Sequence, residues 1–339
     1  MLCIFNPEHD LCLANGSPSY LPPQSALRLG DDCKGLMRTL YGDAECVSTT
    51  QIGSLGARWG ELGSIVPWGW DAPLARRLAQ AGAPPQMLPT QQQLADLRAL
   101  QHRTTAQRCL QWMSQQTGSP YPAFALTSWQ QLPPLLERYG RLVLKQPLSG
   151  SGRGVQWIRG EELHGDGQRA RREALRHIVE KTVAQQGCIM AEPWMDILAE
   201  FAMEFEVGDE VRFTGYSLFA ATAGVYAGNL LLPDSEIERR IATHIPPTQL
   251  RHTRLLLTYW LRQHIRPLYR GPLGVDMFVH ATPRGARLRP VSEFNLRHTM
   301  GMVAHHYLQA HPHYEGRHLA IKHDAVGYHL QVIADATSH

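Results

Sequence analysis

An apolar burst opens the chain: Leu2, Cys3, Ile4 and Phe5 read as a strand. Residues 6–23 are polar and rich in Pro and Gly, a loop long enough to suggest a functional role. A second apolar run at 64–68 reads as a later strand. Asp71 then offers an N-cap for a helix over 72–81. Pro84, Pro85 and Pro89 punctuate the end of this first region.

Helical spacing takes over across 90–116, with Leu94, Leu97, Leu100, Cys109, Leu110 and Met113 on the pattern and Gly118 and Pro120 closing it. A strand at 141–146 leads into a Gly-rich loop and a short strand at 155–158. A charged amphipathic helix over 168–186 precedes a strand at 188–191. Strands are expected at 200–207 and 211–219 around Gly208-Asp209-Glu210, then a helix over 248–264. Strands at 275–279 and 287–294 form a hairpin across Thr282-Pro283-Arg284-Gly285. The pattern predicts an α/β leader domain over 1–90 followed by an α+β region. The latter divides at 91–191 and 192–313, with a C-terminal tail over 314–339.

Composition narrows the function. A chain of 339 residues suits two or three packed domains, and 43% apolar with 19% charged residues is a globular balance. Lys plus Arg number 33 against 30 Asp plus Glu, a net charge of +3, and no basic stretch is interleaved with aromatics. Nucleic acid is therefore not an expected partner. No apolar run approaches the roughly 20 residues a bilayer span needs, and the start lacks the charged and apolar regions of a signal peptide. The six cysteines form no C-x-x-C pair, which suits reduced thiols in the cytoplasm.

Three groups of residues carry chemistry. Lys145 ends a strand and is followed by Gly150, Gly152 and Gly154 before the next strand. Glycines let backbone N–H groups converge on an anion, and Lys145 adds a charge for phosphate oxygens. No Gly-Lys-Ser/Thr follows, so this is not a P-loop, and a strand rather than a helix follows, so it is not a dinucleotide fingerprint. A strand–glycine loop–strand is a flap over a nucleotide, or else an ordinary surface hairpin. The second group is Asp276, Glu293 and Asn295. Asp276 interrupts an apolar run, and a buried charge needs a partner or a metal. With Pro283-Arg284 at the hairpin tip, Asp276 lies opposite Val291 and diagonal to Glu293, and all three oxygen-bearing groups share one face. Hard oxygen donors of this kind suit Mg²⁺ beside ATP phosphates; the alternative is that Asp276 pairs with a base such as Arg289. Third, Glu192-Pro193-Trp194 leaves a strand where exposed backbone can read an adenine edge, and Glu200 can accept from ribose hydroxyls.

In this order, these parts resemble the ATP-grasp superfamily, with a layout like that of D-alanine–D-alanine ligase. Arg103 comes first, then Gly118-Ser119-Pro120-Tyr121-Pro122, Lys145, the flap at 149–154, Glu192, Glu200, Asp276 and Glu293-Phe294-Asn295-Leu296-Arg297, spanning roughly 90 to 305. The resemblance implies two subdomains clamping ATP. It implies an ADP-forming ligase that activates a small-molecule carboxylate as an acyl phosphate and joins it to an amine. By the same resemblance, Lys145 and Arg103 contact ATP phosphates, Ser151 and Gly152 close over them, Glu192 and backbone near Trp194 hold adenine, and Glu200 holds ribose. Asp276, Glu293 and Asn295 hold one or two Mg²⁺ ions, and Arg297 touches the transferred phosphoryl group. The family usually has Lys where Arg103 stands. The ligase branch has an Arg shortly before the metal-binding Asp, where this chain has Gly274, and with it the case for D-alanine as substrate weakens.

Alternatives on the same fold are a small-molecule phosphotransferase and a nucleotide-binding regulator, the latter disfavoured by retention of the full metal set. A homodimer is among the expected partners. Glu8, His9 and Asp10 follow the first strand, where open α/β sheets bind ligands, and are candidates for the donor or acceptor pocket. His298 is a candidate to line the site, whereas His305 and His306 are expected to decorate a helix.

Overall fold

The structure is a computed structural model that describes residues 1–150, 154–163, 168–222 and 225–334. The first region contains β1 (Leu2–Phe5), α1 (His9–Asn15), α2 (Gln24–Cys33), α3 (Arg38–Tyr41), β2 (Glu45–Ser48), β3 (Ile65–Pro67) and α4 (Ala72–Gln80). Its strands make a parallel sheet in the order β2-β1-β3. Leu2 and Ile4 pack into one apolar cluster, and Cys3 and Phe5 into another. Both faces of the strand are covered, which is why β1 is continuously apolar rather than alternating. Asp71 caps α4 by accepting from the Leu74 N–H at 2.8 Å. The stretch 6–23, expected as loop, contains α1, whose Cys12 and Leu13 are buried and which ends at Gly16 with φ 77°.

Next come α5 (Gln91–Gln101), α6 (Arg103–Thr117), β4 (Phe124–Leu126), α7 (Leu132–Tyr139), β5 (Arg141–Lys145), β6 (Val155–Arg159), α8 (Arg169–Gln186) and β7 (Ile189–Pro193). The expected helix over 90–116 is two helices. His102 is extended, with ψ 132°, and its side chain accepts from the Thr104 N–H to cap α6. The break places Arg103 at the first position of α6, turned inward and buried. The strands form an antiparallel sheet in the order β4-β7-β5-β6. Leu142, Leu144, Ile158 and Ile189 of this sheet pack with Leu175 and Val179 of α8.

The rest comprises β8 (Ile197–Val207), β9 (Val211–Thr222), β10 (Val225–Leu230), α9 (Asp234–Ile241), α10 (Pro247–His264), β11 (Gly271–Thr282), β12 (Gly285–Asn295), α11 (Met300–Ala310), β13 (His318–His323) and β14 (Tyr328–Ile333). The strands form one seven-stranded sheet in the order β12-β11-β8-β9-β10-β13-β14. The stretch expected as a C-terminal tail therefore adds two strands to the main sheet. Leu319, Ile321, Tyr328, Leu330 and Val332 alternate along it and pack with Leu29, Leu36 and Met37 of the first region. That packing fixes the last hairpin against the leader sheet. Among the described residues no helix is long and apolar enough to cross a membrane.

Candidate active site

The β11–β12 hairpin turns between Thr282 and Gly285, as its sequence implies. From the turn to Phe278, which faces Arg289, the register is regular. It then shifts, so that Asp276 faces Glu293 rather than Val291. The shift spans Pro290, which has no N–H for the ladder. Gly274 faces Asn295, so the two carboxylates and the carboxamide share one face of the hairpin as expected. Burial pushes the Asp276 carboxyl above its usual range, against the hydrogen bond from Asn295. Burial pushes Glu293 to about 7, with Arg103 opposing and Asp276 reinforcing the shift.

Arg103 is the counter-charge. Its Nη2 lies 2.7 Å from Glu293 Oε2, and its Nε donates to the Gln146 carbonyl at 3.1 Å. It thus joins the end of β5 to β12. The alternative pairing of Asp276 with Arg289 does not occur: Arg289 donates to the Pro122 carbonyl at 3.1 Å and lies 3.3 Å from Glu192.

Lys145 Nζ lies 3.1 Å from Glu192 Oε2 and 3.4 Å from Ser292 Oγ, again bridging the two antiparallel sheets. Burial lowers the Lys145 pKa, with Glu192 opposing. For Glu192, burial raises the pKa, but Lys145 and Arg289 outweigh it and the group titrates below its ordinary value. The Glu192 carboxylate, expected to hold adenine, is therefore buried and engaged by two cations. The Trp194 N–H is also engaged, donating to the Arg141 carbonyl at 3.1 Å. Its indole stands 4.8 Å from Trp157, with the guanidinium groups of Arg141 and Arg159 over it. Ser151 and Gly152, the expected flap contacts, lie outside the described residues.

A cleft of about 610 Å³ runs from the hairpin carboxylates to the leader sheet and the final β13–β14 hairpin. Glu200, Asp276, Glu293, Asn295 and Arg297 all line it. Burial raises the Glu200 carboxyl, with Lys145 opposing. Of the three leader residues only Asp10 reaches the cleft. Its carboxylate meets Arg297 through two hydrogen bonds, each 3.0 Å. Glu8 turns inward and accepts from Thr49 at 2.6 Å, and buried His9 lies 3.5 Å from Asp71. His298 does not line the cleft. It stands behind it, with Nε2 2.6 Å from the Tyr41 hydroxyl and Nδ1 3.1 Å from the Trp68 carbonyl. Burial lowers its pKa to about 4, so it is neutral near pH 7. His305 and His306 lie on α11, as expected.

Glu204 is a cleft residue that the sequence pattern did not single out. It is 2% exposed and accepts from Ser217 at 3.0 Å and Thr299 at 2.9 Å. Its other oxygen, Oε2, is buried without a hydrogen-bond partner, and burial lifts the group to about 7. Like Asp276, it interrupts a buried apolar strand, Phe201 to Phe205, and that was the available signal.

Among the described residues no three His, Cys, Asp or Glu side chains converge on a metal position. The set that does converge, Asp276 and Glu293 with Asn295, fits an ion that takes its remaining ligands from substrate oxygens and water, as Mg²⁺ does. Both carboxylates are held above their ordinary pKa, and a nearby divalent charge would relieve that burden.

No family model matches the chain, and no curated protein does. Solved structures do. N5-carboxyaminoimidazole synthetase from Staphylococcus aureus, complexed with ADP, superposes with a TM-score of 0.50 at 15% identity, covering 91% of this chain and 76% of that one. D-cycloserine synthetase DcsG gives a TM-score of 0.50 at 12% identity, covering 91% of this chain and 99% of that one. At such identities the likeness is one of fold, and this chain has the fold of the ATP-grasp enzymes.

Proposed function

We propose that this protein is an ADP-forming ligase that activates a small-molecule carboxylate with Mg-ATP and joins it to an amine. ATP lies between the four-stranded and seven-stranded sheets, which act as the two halves of a clamp. The observation that supports this reading best is the convergence, in one cleft, of Asp276, Glu293 and Asn295 with Arg297, flanked by Arg103 and Lys145. The cleft volume is in the range of small-molecule sites.

Lys145 and Arg103 stand where the two sheets meet and would neutralise phosphate oxygens. Asp276, Glu293 and Asn295 would hold one or two Mg²⁺ ions, which supply positive charge against the phosphoryl oxygens. A substrate carboxylate oxygen attacks the γ-phosphorus as the bond to the β-phosphate oxygen breaks, giving an acyl phosphate and ADP. Arg297 would stabilise charge on that intermediate. The amine nitrogen then attacks the acyl carbon, phosphate leaves, and the amine gives up a proton. Glu200 lines the cleft and would suit a ribose contact.

The test is ADP and phosphate release by the purified protein with Mg-ATP and pools of amino acids and small carboxylates. Stoichiometric ADP and phosphate, dependent on a carboxylate, support the ligase. ADP with a phosphorylated acceptor and no free phosphate would instead make it a phosphotransferase.

A further inference from the structure

We infer that Asp10 is a positioning residue for Arg297, so that helix α1 of the leader region completes the reaction centre in the main sheet. The inference rests on the ligase reading. A guanidinium carries five N–H donors in a fixed plane. In Arg297, Nε donates to Asp10 Oδ1 and Nη2 to Asp10 Oδ2, both at 3.0 Å. Nη2 also donates to Asn295 at 3.2 Å, and Nη1 to the His298 carbonyl at 3.0 Å. Four donors are thus committed among the described residues, leaving one on Nη1 for a ligand in the cleft that Arg297 lines. Asp10 supplies half of those contacts. Without it the fork keeps its charge but loses half of the contacts that fix its plane.

Asp10 is itself closely confined on the sides away from the cleft. Helix α1 is tied to α5 by Arg98, whose Nε donates to the Leu13 carbonyl at 2.8 Å. Behind Asp10, Glu8 and His9 are locked into the leader core. Gly150 lies against it; a Cβ there would stand 2.7 Å from Asp10 Cγ and overlap its carboxylate. Only a residue without a Cβ fits this close against Asp10. This confinement favours a fixed support over a placeholder that yields to the substrate carboxylate.

The experiment is a double-mutant cycle on the full chain with Asp10→Asn, Arg297→Lys and both together. Activity is read with Mg-ATP and the amino-acid and carboxylate pool. Asp10→Asn alone should lower kcat by about tenfold or more while the KM for ATP stays within about twofold. In the Arg297→Lys background, where there is no fork to hold, the same substitution should cost less than about twofold. Losses that simply multiply would mean that Asp10 acts structurally, and would overturn the inference. So would an unchanged kcat with a lower KM for the carboxylate, the mark of a displaced placeholder. If Asp10→Asn does not fold, Gly150→Ala leaves the charge in place but displaces the carboxylate; its loss should likewise vanish in the Arg297→Lys background, and a loss that persists there would count against the inference. A wild-type chain without carboxylate-dependent ADP release would sink the ligase reading and this inference with it. A wild type that turns over while the cycle is additive would sink only the inference.

Discussion

Asp276 and Glu293 stand directly opposite each other on adjacent antiparallel strands, two half-buried carboxylates brought face to face by a register shift. Burial disfavours ionisation of both, Asp276 adds to that at Glu293, and among the described residues Arg103 is the base that pairs with Glu293. The arrangement costs the ligand-free fold stability and suits the binding of a cation. Asp276→Asn should therefore abolish Mg-dependent turnover, by about 100-fold or more, while melting no lower than the wild type in the absence of Mg²⁺. Parallel assays of kcat and thermal melting in EDTA would show both effects; a lower melting temperature would contradict the account.

Lys145 touches Glu192 on its own sheet and Ser292 on the other. Lys145→Met should weaken Mg-ATP binding by about tenfold or more, measured by calorimetry. The chain should still fold, because Arg289 remains against the Glu192 carboxylate. Unchanged ATP affinity would remove Lys145 from the nucleotide site.

Glu204 makes stability depend on pH. Its folded pKa of about 7 lies above the ordinary glutamate value of 4.5, so between those values the folded chain keeps a proton that the unfolded chain releases. Stability is then full below about pH 4.5 and falls as pH rises toward 7. Glu204→Gln should be more stable than the wild type at pH 8, by up to about 3 kcal/mol, and near parity at pH 4.5. Part of the slope should survive, since Glu293 titrates in the same window. Urea unfolding at the two pH values measures the difference, and equal gains at both would contradict it.

Gly301 sits where α11 starts, and a Cβ there would overlap both Glu204 Oε1 and Ser217 Oγ. Gly301→Ala should destabilise the chain by about 1–3 kcal/mol through overpacking. In the Glu204→Ala background much of that cost should disappear. Denaturant midpoints of the four proteins provide the check.

The most legible parts of this chain in the sequence were those where local chemistry and periodicity agree. Asp71 reads as a cap and is one, and the alternation in residues 287–295 correctly put Glu293 and Asn295 on one face. What escaped depended on partners far along the chain. His102 breaks a helical pattern through its own side chain, and nothing in the apolar spacing marks that. The Asp276–Glu293 register turns on an irregularity at Pro290, which a regular ladder cannot anticipate. The last two strands do alternate, but their apolar side is covered by α2 and its neighbours, elements from the other end of the chain. The same holds for Asp10, whose partner Arg297 lies 287 residues away.

The most direct measurement is ADP release from Mg-ATP by the purified protein against pooled amino acids and small carboxylates, beside the Asp276→Asn, Glu293→Gln double variant. The account predicts ADP and phosphate release that needs a carboxylate and is absent from the double variant. Turnover that survives the double substitution, or a wild-type chain that does not bind ATP, would contradict it.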